Sequence, residues 1–230
     1  MNTTQPLHHT VNKYFLWILA FILLSSVTSA HAEDPALKRV IANVQDRYEH
    51  TVDLKASFIQ EATIKSINQT VTETGVVYLK KPQRMLWDYH TPSQKKLIIN
   101  PEKAWLYVPE DNLVYVQDAR QILSSKMTVR FMIGVGKLEE DFHISFTDPH
   151  HVDKDGHYDL CLLPRSNELG IDKLFMKVDR QTSFIINFSF ADIYGNTTRL
   201  TFSDIKTNTN IPGGIFSFTP PQGVNVYHVP

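Results

Sequence analysis

The sequence predicts a mainly β fold with helices (α+β), in which one long antiparallel sheet of about eleven strands curls on itself beside an N-terminal helix and a mid-chain helical lid. Three observations predict it. From Thr51 onward apolar residues recur with period two, the segments so formed are short and bounded by Pro, Gly, Asn and Asp, and only 35–50 and 119–138 break the alternation.

The first 32 of the 230 residues are set apart. Residues 14–30, YFLWILAFILLSSVTSA, form an apolar run behind Lys13, and Ala30-His31-Ala32 offers the small-x-small pattern cut by a signal peptidase. Residues 1–32 are therefore expected to be a cleaved secretory signal, with 33–230 a single exported domain of a length that supports its own core. Without Lys13 that part carries 22 cations against 24 acids, a balance that gives no reason to expect a nucleic-acid partner. Cys161 is the only cysteine, so neither an internal disulfide framework nor a Cys₄ or Cys₂His₂ zinc site is available.

Asp34-Pro35 reads as a helix start, with Asp as the cap and Pro where its missing N–H is harmless. Leu37, Val40, Ile41, Val44 and Tyr48 then make one apolar stripe to about His50, opposite Lys38, Arg39, Gln45 and Asp46. Strands follow near 51–65, 70–80, 84–90, 95–100, 104–108 and 113–118, and again near 142–148, 157–163, 171–179, 183–193 and 197–206. Turn residues such as Lys81-Pro82-Gln83, Thr91-Pro92, Asp155-Gly156 and Tyr194-Gly195-Asn196 separate them. Between the two sets, residues 119–138 lack alternation, carry helix formers and stop at Gly134 and Gly136, which predicts one or two short helices.

Catalytic signatures are scarce. The mature chain has no G-x-S-x-G, H-E-x-x-H, Walker or dinucleotide-binding motif. Ser124-Ser125 beside Lys126 reads as helix-end polar surface, and Cys161, within Leu160-Cys161-Leu162-Leu163, as a strand thiol. The cluster His150-His151-Asp153-Asp155-His157 offers metal-ligand types but reads first as a solvated turn, since the bidentate Glu of a calcium loop is replaced by Leu162. No metal or cofactor is expected. What stands out is an apolar surplus on both alternations of several strands. It fits either a filled two-layer core or a cavity under movable helices, and composition does not decide between them.

Four motifs in order add to this. Ala56-Ser57-Phe58-Ile59-Gln60 resembles an A-S-F-x-Q strand, and Gly75-Val76-Val77-Tyr78-Leu79-Lys80-Lys81-Pro82 followed by Trp87 a G-x-(apolar)-K-R/K-P…W hairpin. Trp105-Leu106-Tyr107-Val108-Pro109 resembles W-x-Y-x-P, and Phe216-Ser217-Phe218-Thr219-Pro220-Pro221-Gln222-Gly223-Val224 an F-x-F-x-P-P-x-G-V ending. Together they are similar to the periplasmic outer-membrane lipoprotein carriers, the LolA family. The resemblance implies an unclosed β-barrel with helices as a lid over an apolar cavity, no enzymatic activity, and a monomer in the periplasm. Its implied partners are acylated lipoproteins, an inner-membrane ABC-type transporter that releases them, and an outer-membrane acceptor lipoprotein. The acceptor shares the fold but has a lipobox cysteine, which is absent here.

With the helix stripe, the resemblance places Leu37, Ile41, Phe58, Val77, Leu79, Met85 and Trp87 on the cavity wall, and Phe131, Met132 and Ile133 in the lid. The family often has Arg before the hairpin proline as a latch to helix backbone; here Lys81 stands there, with Arg84 as a second candidate. Period two puts Met85, Trp87 and Tyr89 on the inner face and Arg84, Leu86 and Asp88 on an expected solvent side. Two rivals stay open: a lipoprotein sensor or scaffold on this fold, and a periplasmic hydrolase.

Overall fold

The computed structural model describes residues 34–121, 137–148, 150–166 and 171–229. Helix α1 (Pro35–Glu49) leads into β1 (Asp53–Ile64), β2 (Gln69–Lys80), β3 (Arg84–Thr91), β4 (Lys95–Ile99), β5 (Lys103–Val108) and β6 (Leu113–Asp118). After the short helix α2 (Leu138–Asp141) come β7 (Phe142–Phe146), β8 (His157–Pro164), β9 (Ile171–Asp179), β10 (Ile185–Asp192), β11 (Thr197–Thr207) and β12 (Asn225–His228). Of the expected mid-chain helix, residues 119–121 are helical. Most of that segment, including Phe131, Met132 and Ile133, lies outside the described residues.

The strands form one sheet in the order β12-β6-β5-β4-β3-β2-β1-β11-β10-β9-β8-β7. Neighbours are antiparallel except β12 and β6, which run parallel, and β12 makes twelve strands rather than the eleven expected. The edges β12 and β7 are not paired with each other, so the sheet curls without closing.

Alternation sorts the side chains onto two faces. Inner-face residues of β1–β5 and β7–β11 meet in one cluster with Val40, Val44 and Tyr48 of α1, which is possible only where a curled sheet faces itself. The outer face of β2–β6 has its own cluster, because the chain after β11 crosses it and lays Ile211 and Phe216 on Leu86, Ile98, Trp105, Val114 and Val116. This corrects the expectation for β3. Leu86, placed on the solvent side because Arg84 and Asp88 flank it, is only 6% exposed, since the C-terminal segment covers it.

Asp53 pins that segment. Its carboxylate, 2% exposed, accepts from Thr209 N at 2.8 Å, Thr209 Oγ1 at 3.2 Å and Ile211 N at 3.1 Å. Burial pushes this carboxyl up, but the donors and the nearby Lys80 charge outweigh it and hold the group below the usual carboxylate value. Gly75 allows β2 and β3 to approach: a Cβ there would fall 2.1 Å from the Asp88 carbonyl oxygen and 2.9 Å from the Phe58 ring.

Candidate functional site

The site is the apolar inner face with the helix lying on it. Helix α1 buries Val40, Ile41, Val44 and Tyr48, the stripe its spacing predicted. Leu37, one turn earlier, is partly buried against the inner cluster. Phe58, Val77, Leu79, Met85 and Trp87 point inward from three adjacent strands, and none exposes more than 7% of its surface. The register explains the grouping, because Val77 pairs with both Ala56 and Trp87, and Leu79 with both Leu54 and Met85. Phe58 meets Trp87 edge-on at 4.7 Å between ring centroids, and the Trp87 indole N–H points at Met85 Sδ at 2.9 Å.

The last turn of α1 is tied down by polar bonds. Lys81 Nζ donates to the Tyr48 carbonyl at 2.6 Å and the Glu49 carbonyl at 2.8 Å, two of the acceptors that a helix C-terminus leaves without partners. Burial draws the Lys81 ammonium below the usual lysine value, and the Glu49 carboxylate pulls the other way. Toward the opposite wall, Arg47 Nε of the helix donates to the Thr182 carbonyl at 2.9 Å, and from that wall Ile185 N donates to Tyr48 Oη at 3.3 Å. The Arg47 guanidinium also lies over the Phe184 ring. Arg84 sits elsewhere: its Nη1 lies 3.5 Å from the Pro82 carbonyl, and among the described residues it makes no hydrogen bond to α1.

Toward the far end of the sheet the inner face turns polar. Tyr89 Oη donates to Gln60 Oε1 at 3.1 Å, Gln60 Nε2 donates to Glu73 at 3.2 Å, and Lys95 pairs with Glu73 at 2.6 Å. Burial, and then the Glu73 charge, raise the Tyr89 hydroxyl far above its ordinary value, which keeps it a neutral donor. This network ends the apolar compartment, and sequence reasoning missed it; the recoverable signal was a Gln on the same face as Phe58, two residues on.

The turn rich in histidine and aspartate is separate from this site. Asp153, Asp155 and His157 bring potential ligand atoms within 4.8 Å of one another, but Lys177 already sits on Asp153 and donates to Asp159 at 2.9 Å. Asp153 also accepts from the backbone N–H groups of Asp155 and His157 at 2.9 Å, and the Lys177 hydrogen bond holds its carboxyl well below the usual range. A cation would have to displace that ammonium. His151 instead stacks on Phe146 at 4.2 Å.

Among curated proteins, the outer-membrane lipoprotein carrier protein of Pseudomonas aeruginosa strain PAO1 is 27% identical over 212 residues, covering 92% of this chain and 96% of that one. The protein of the same name from Methylibium petroleiphilum is 26% identical over 211 residues, with 92% and 96% covered. Among solved structures, an uncharacterized conserved protein from Thermus thermophilus superposes with a TM-score of 0.55 at 11% identity, covering 84% of this chain and 99% of that one, which establishes likeness of fold. The profile of the outer membrane lipoprotein carrier protein LolA family matches residues 49–219, most of the chain, taking in the first three motifs and the start of the fourth, and on that match the chain belongs to the LolA family.

Proposed function

We propose that the protein is a periplasmic, monomeric carrier that covers the acyl chains of lipoproteins released from the inner membrane by an ABC-type transporter and passes them to an outer-membrane acceptor. The observation that carries this reading is an apolar inner face covered by a helix that rests on it through an apolar stripe and is latched at its last turn by Lys81 and Arg47. Such a helix can lift without breaking the sheet. Re-exposing Val40, Ile41, Val44 and Tyr48 costs about 6 to 12 kcal/mol at about 1.5 to 3 kcal/mol per side chain. An acyl chain of roughly sixteen carbons recovers on the order of 12 kcal/mol when it leaves water, at about 0.8 kcal/mol per CH₂. The two terms are comparable, so cargo can open the interior and still be released. Carriage needs no bond to be made or broken, and the inner face offers apolar contact rather than a nucleophile with its base.

Phe58, Val77, Leu79, Met85, Trp87, Leu37 and Ile41 are the proposed acyl-contact residues, with Lys81 as the latch. The Tyr89–Gln60–Glu73–Lys95 network suits the place where a chain's polar head leaves the apolar compartment. The test is to take the protein from the periplasm and look for copurified diacyl species by mass spectrometry, then to ask whether it keeps an acylated lipopeptide soluble and hands it to acceptor-bearing vesicles. Absence of acyl species together with failure to solubilise the lipopeptide would sink the reading. Binding without hand-over would favour a sensor or scaffold.

A further inference from the structure

The inner face changes character over a short distance along its strands. On β2 the inward positions run Leu79, Val77, Gly75, Glu73 and Val71, and on β1 Phe58 is followed by Gln60, which pairs with Glu73. Exposure rises in step: Leu79 shows 4% of its surface, the Glu73 side chain 14% and Val71 38%. The Tyr89–Gln60–Glu73–Lys95 network therefore lies at the waterline of the compartment, partly shielded from solvent. From Leu79 to Glu73 the strand covers roughly 20 Å at about 3.3 Å per residue, more than the roughly 15 Å of hydrocarbon in one bilayer leaflet. An acyl chain with its tip against Leu79 thus ends near the level of this network.

The network is closed on itself. Lys95 Nζ reaches Glu73 Oε1 at 2.6 Å and lies 4.5 Å from the centre of the Tyr89 ring, whose hydroxyl serves Gln60. Gln60 Nε2 donates to the other Glu73 oxygen at 3.2 Å. Of these four side chains Glu73 and Lys95 carry charge, one of each sign, and they neutralise one another. Hydrogen-bonding capacity is left over all the same, because an ammonium has several N–H donors and a primary amide more than the one that Gln60 gives to Glu73.

That combination separates one polar head from another. An ester or amide carbonyl can accept from a spare N–H of Lys95 or Gln60, and it gives up little hydration in doing so. A phosphate or carboxylate would have to share Lys95 with Glu73, which sets two negative charges on one ammonium where water is partly excluded. A cationic head meets the mirror problem, since it must share Glu73 with Lys95. The pair offers donors and acceptors without net charge.

We propose that the Glu73–Lys95 pair makes the compartment selective for acyl chains on uncharged ester or amide heads, as chains borne on a polypeptide are, and turns away the anionic heads of phospholipids and free fatty acids. The inference rests on the acyl-carriage reading, and its test separates the two. Protein purified as the host produces it and stripped of bound lipid is titrated with two fluorescent acyl chains of equal length, one ending in a methyl ester and one in a sulfonate. Wild type should bind the ester more tightly. Glu73→Gln, close in shape, leaves the Lys95 charge without its counterion and should shift the preference toward the sulfonate by at least about tenfold. Lys95→Gln should shift it the other way. A role in packing alone would weaken both probes alike and leave the ratio where it was. Melting curves report whether each variant is folded, and should Lys95→Gln fail to fold, Glu73→Gln alone decides. Equal binding of the two probes by wild type overturns the selectivity and leaves acyl carriage standing, as does a ratio that stays put in Glu73→Gln or moves in the same direction in both variants. Binding of neither probe by folded wild type brings down both.

Discussion

Replacing Lys81 with leucine tests whether α1 is a latched element or simply part of the core. The change removes two hydrogen bonds, at 2.6 and 2.8 Å, to the Tyr48 and Glu49 carbonyls at the end of the helix, and leaves the apolar stripe untouched. Charge-assisted bonds of this kind contribute about 1.5 to 3 kcal/mol each when fully desolvated. Glu49 is exposed and water can replace one donor, so about 1 to 3 kcal/mol is the reasonable loss for the pair. At about 1.4 kcal/mol per factor of ten, detachment of α1 becomes about five- to 150-fold more frequent. Arg47 and Tyr48 still hold the other side, so the sheet itself should not loosen. Native-state hydrogen exchange reads this directly: amides of α1 should exchange faster by that factor, while those of β9–β11 stay as they were. Lys81→Arg should restore slow exchange. Unchanged protection of α1 in Lys81→Leu, or a uniform loss of protection across the sheet, would refute the latch.

Other substitutions probe the surroundings. Met85→Glu puts a carboxyl at a position 1% exposed, and should lower stability by several kcal/mol at neutral pH and abolish lipopeptide loading. Burial raises the pKa of the introduced acid, so part of that stability should return as pH falls; a melting temperature equal to wild type would contradict the placement. Gly75→Ala should cost about 1 to 3 kcal/mol in urea unfolding, because β3 must move away from the added methyl, and a neutral effect would mean the strands have slack. Asp53→Asn should cost about 1 to 3 kcal/mol near neutral pH. The carboxyl of Asp53 is held below its unfolded value, so its contribution is present above pH of about 4 and is lost as pH falls through the folded value. Wild type and variant should therefore converge on acidification, and parallel curves would show that the contribution lies elsewhere.

The strands were legible because nearly every one ends at a proline, a glycine or an Asn/Asp turn, and alternation within them is strict enough to separate faces. Position 85 illustrates it: period two from the proline turn put Met85 beside Trp87 and Tyr89, and all three lie in the inner cluster. Leu86 failed by the same logic, since two charged flanking residues describe only their own environment. The segment that buries Leu86 is more than a hundred residues away, and no local pattern announces it. β12 was missed for a related reason: four residues paired in parallel with β6 are too short for periodicity to register. The polar ties of α1 were half legible. Lys81 came from a motif, whereas Arg47 and the hydroxyl of Tyr48 act on the turn before β10, which the helix sequence cannot foretell.

The strand order also bears on how the chain reaches its fold. β1 to β6 form a run of sequential neighbours, as do β7 to β11, so each half is assembled from hairpins that close quickly. What joins the halves is β1 against β11, through pairs from Leu54 with Thr207 to Thr63 with Thr197, more than 130 residues apart in sequence. Bringing such distant segments together costs about 4 kcal/mol in loop-closure entropy before any pair is rewarded. That zipper is expected to be the slow event of refolding, after the hairpins on either side have formed. The inner face is continuous across it, since Phe58 on β1 pairs with Phe202 on β11. Until the two meet, neither half can enclose an apolar compartment, so competence to shelter hydrophobic cargo should arise late and all at once rather than growing strand by strand.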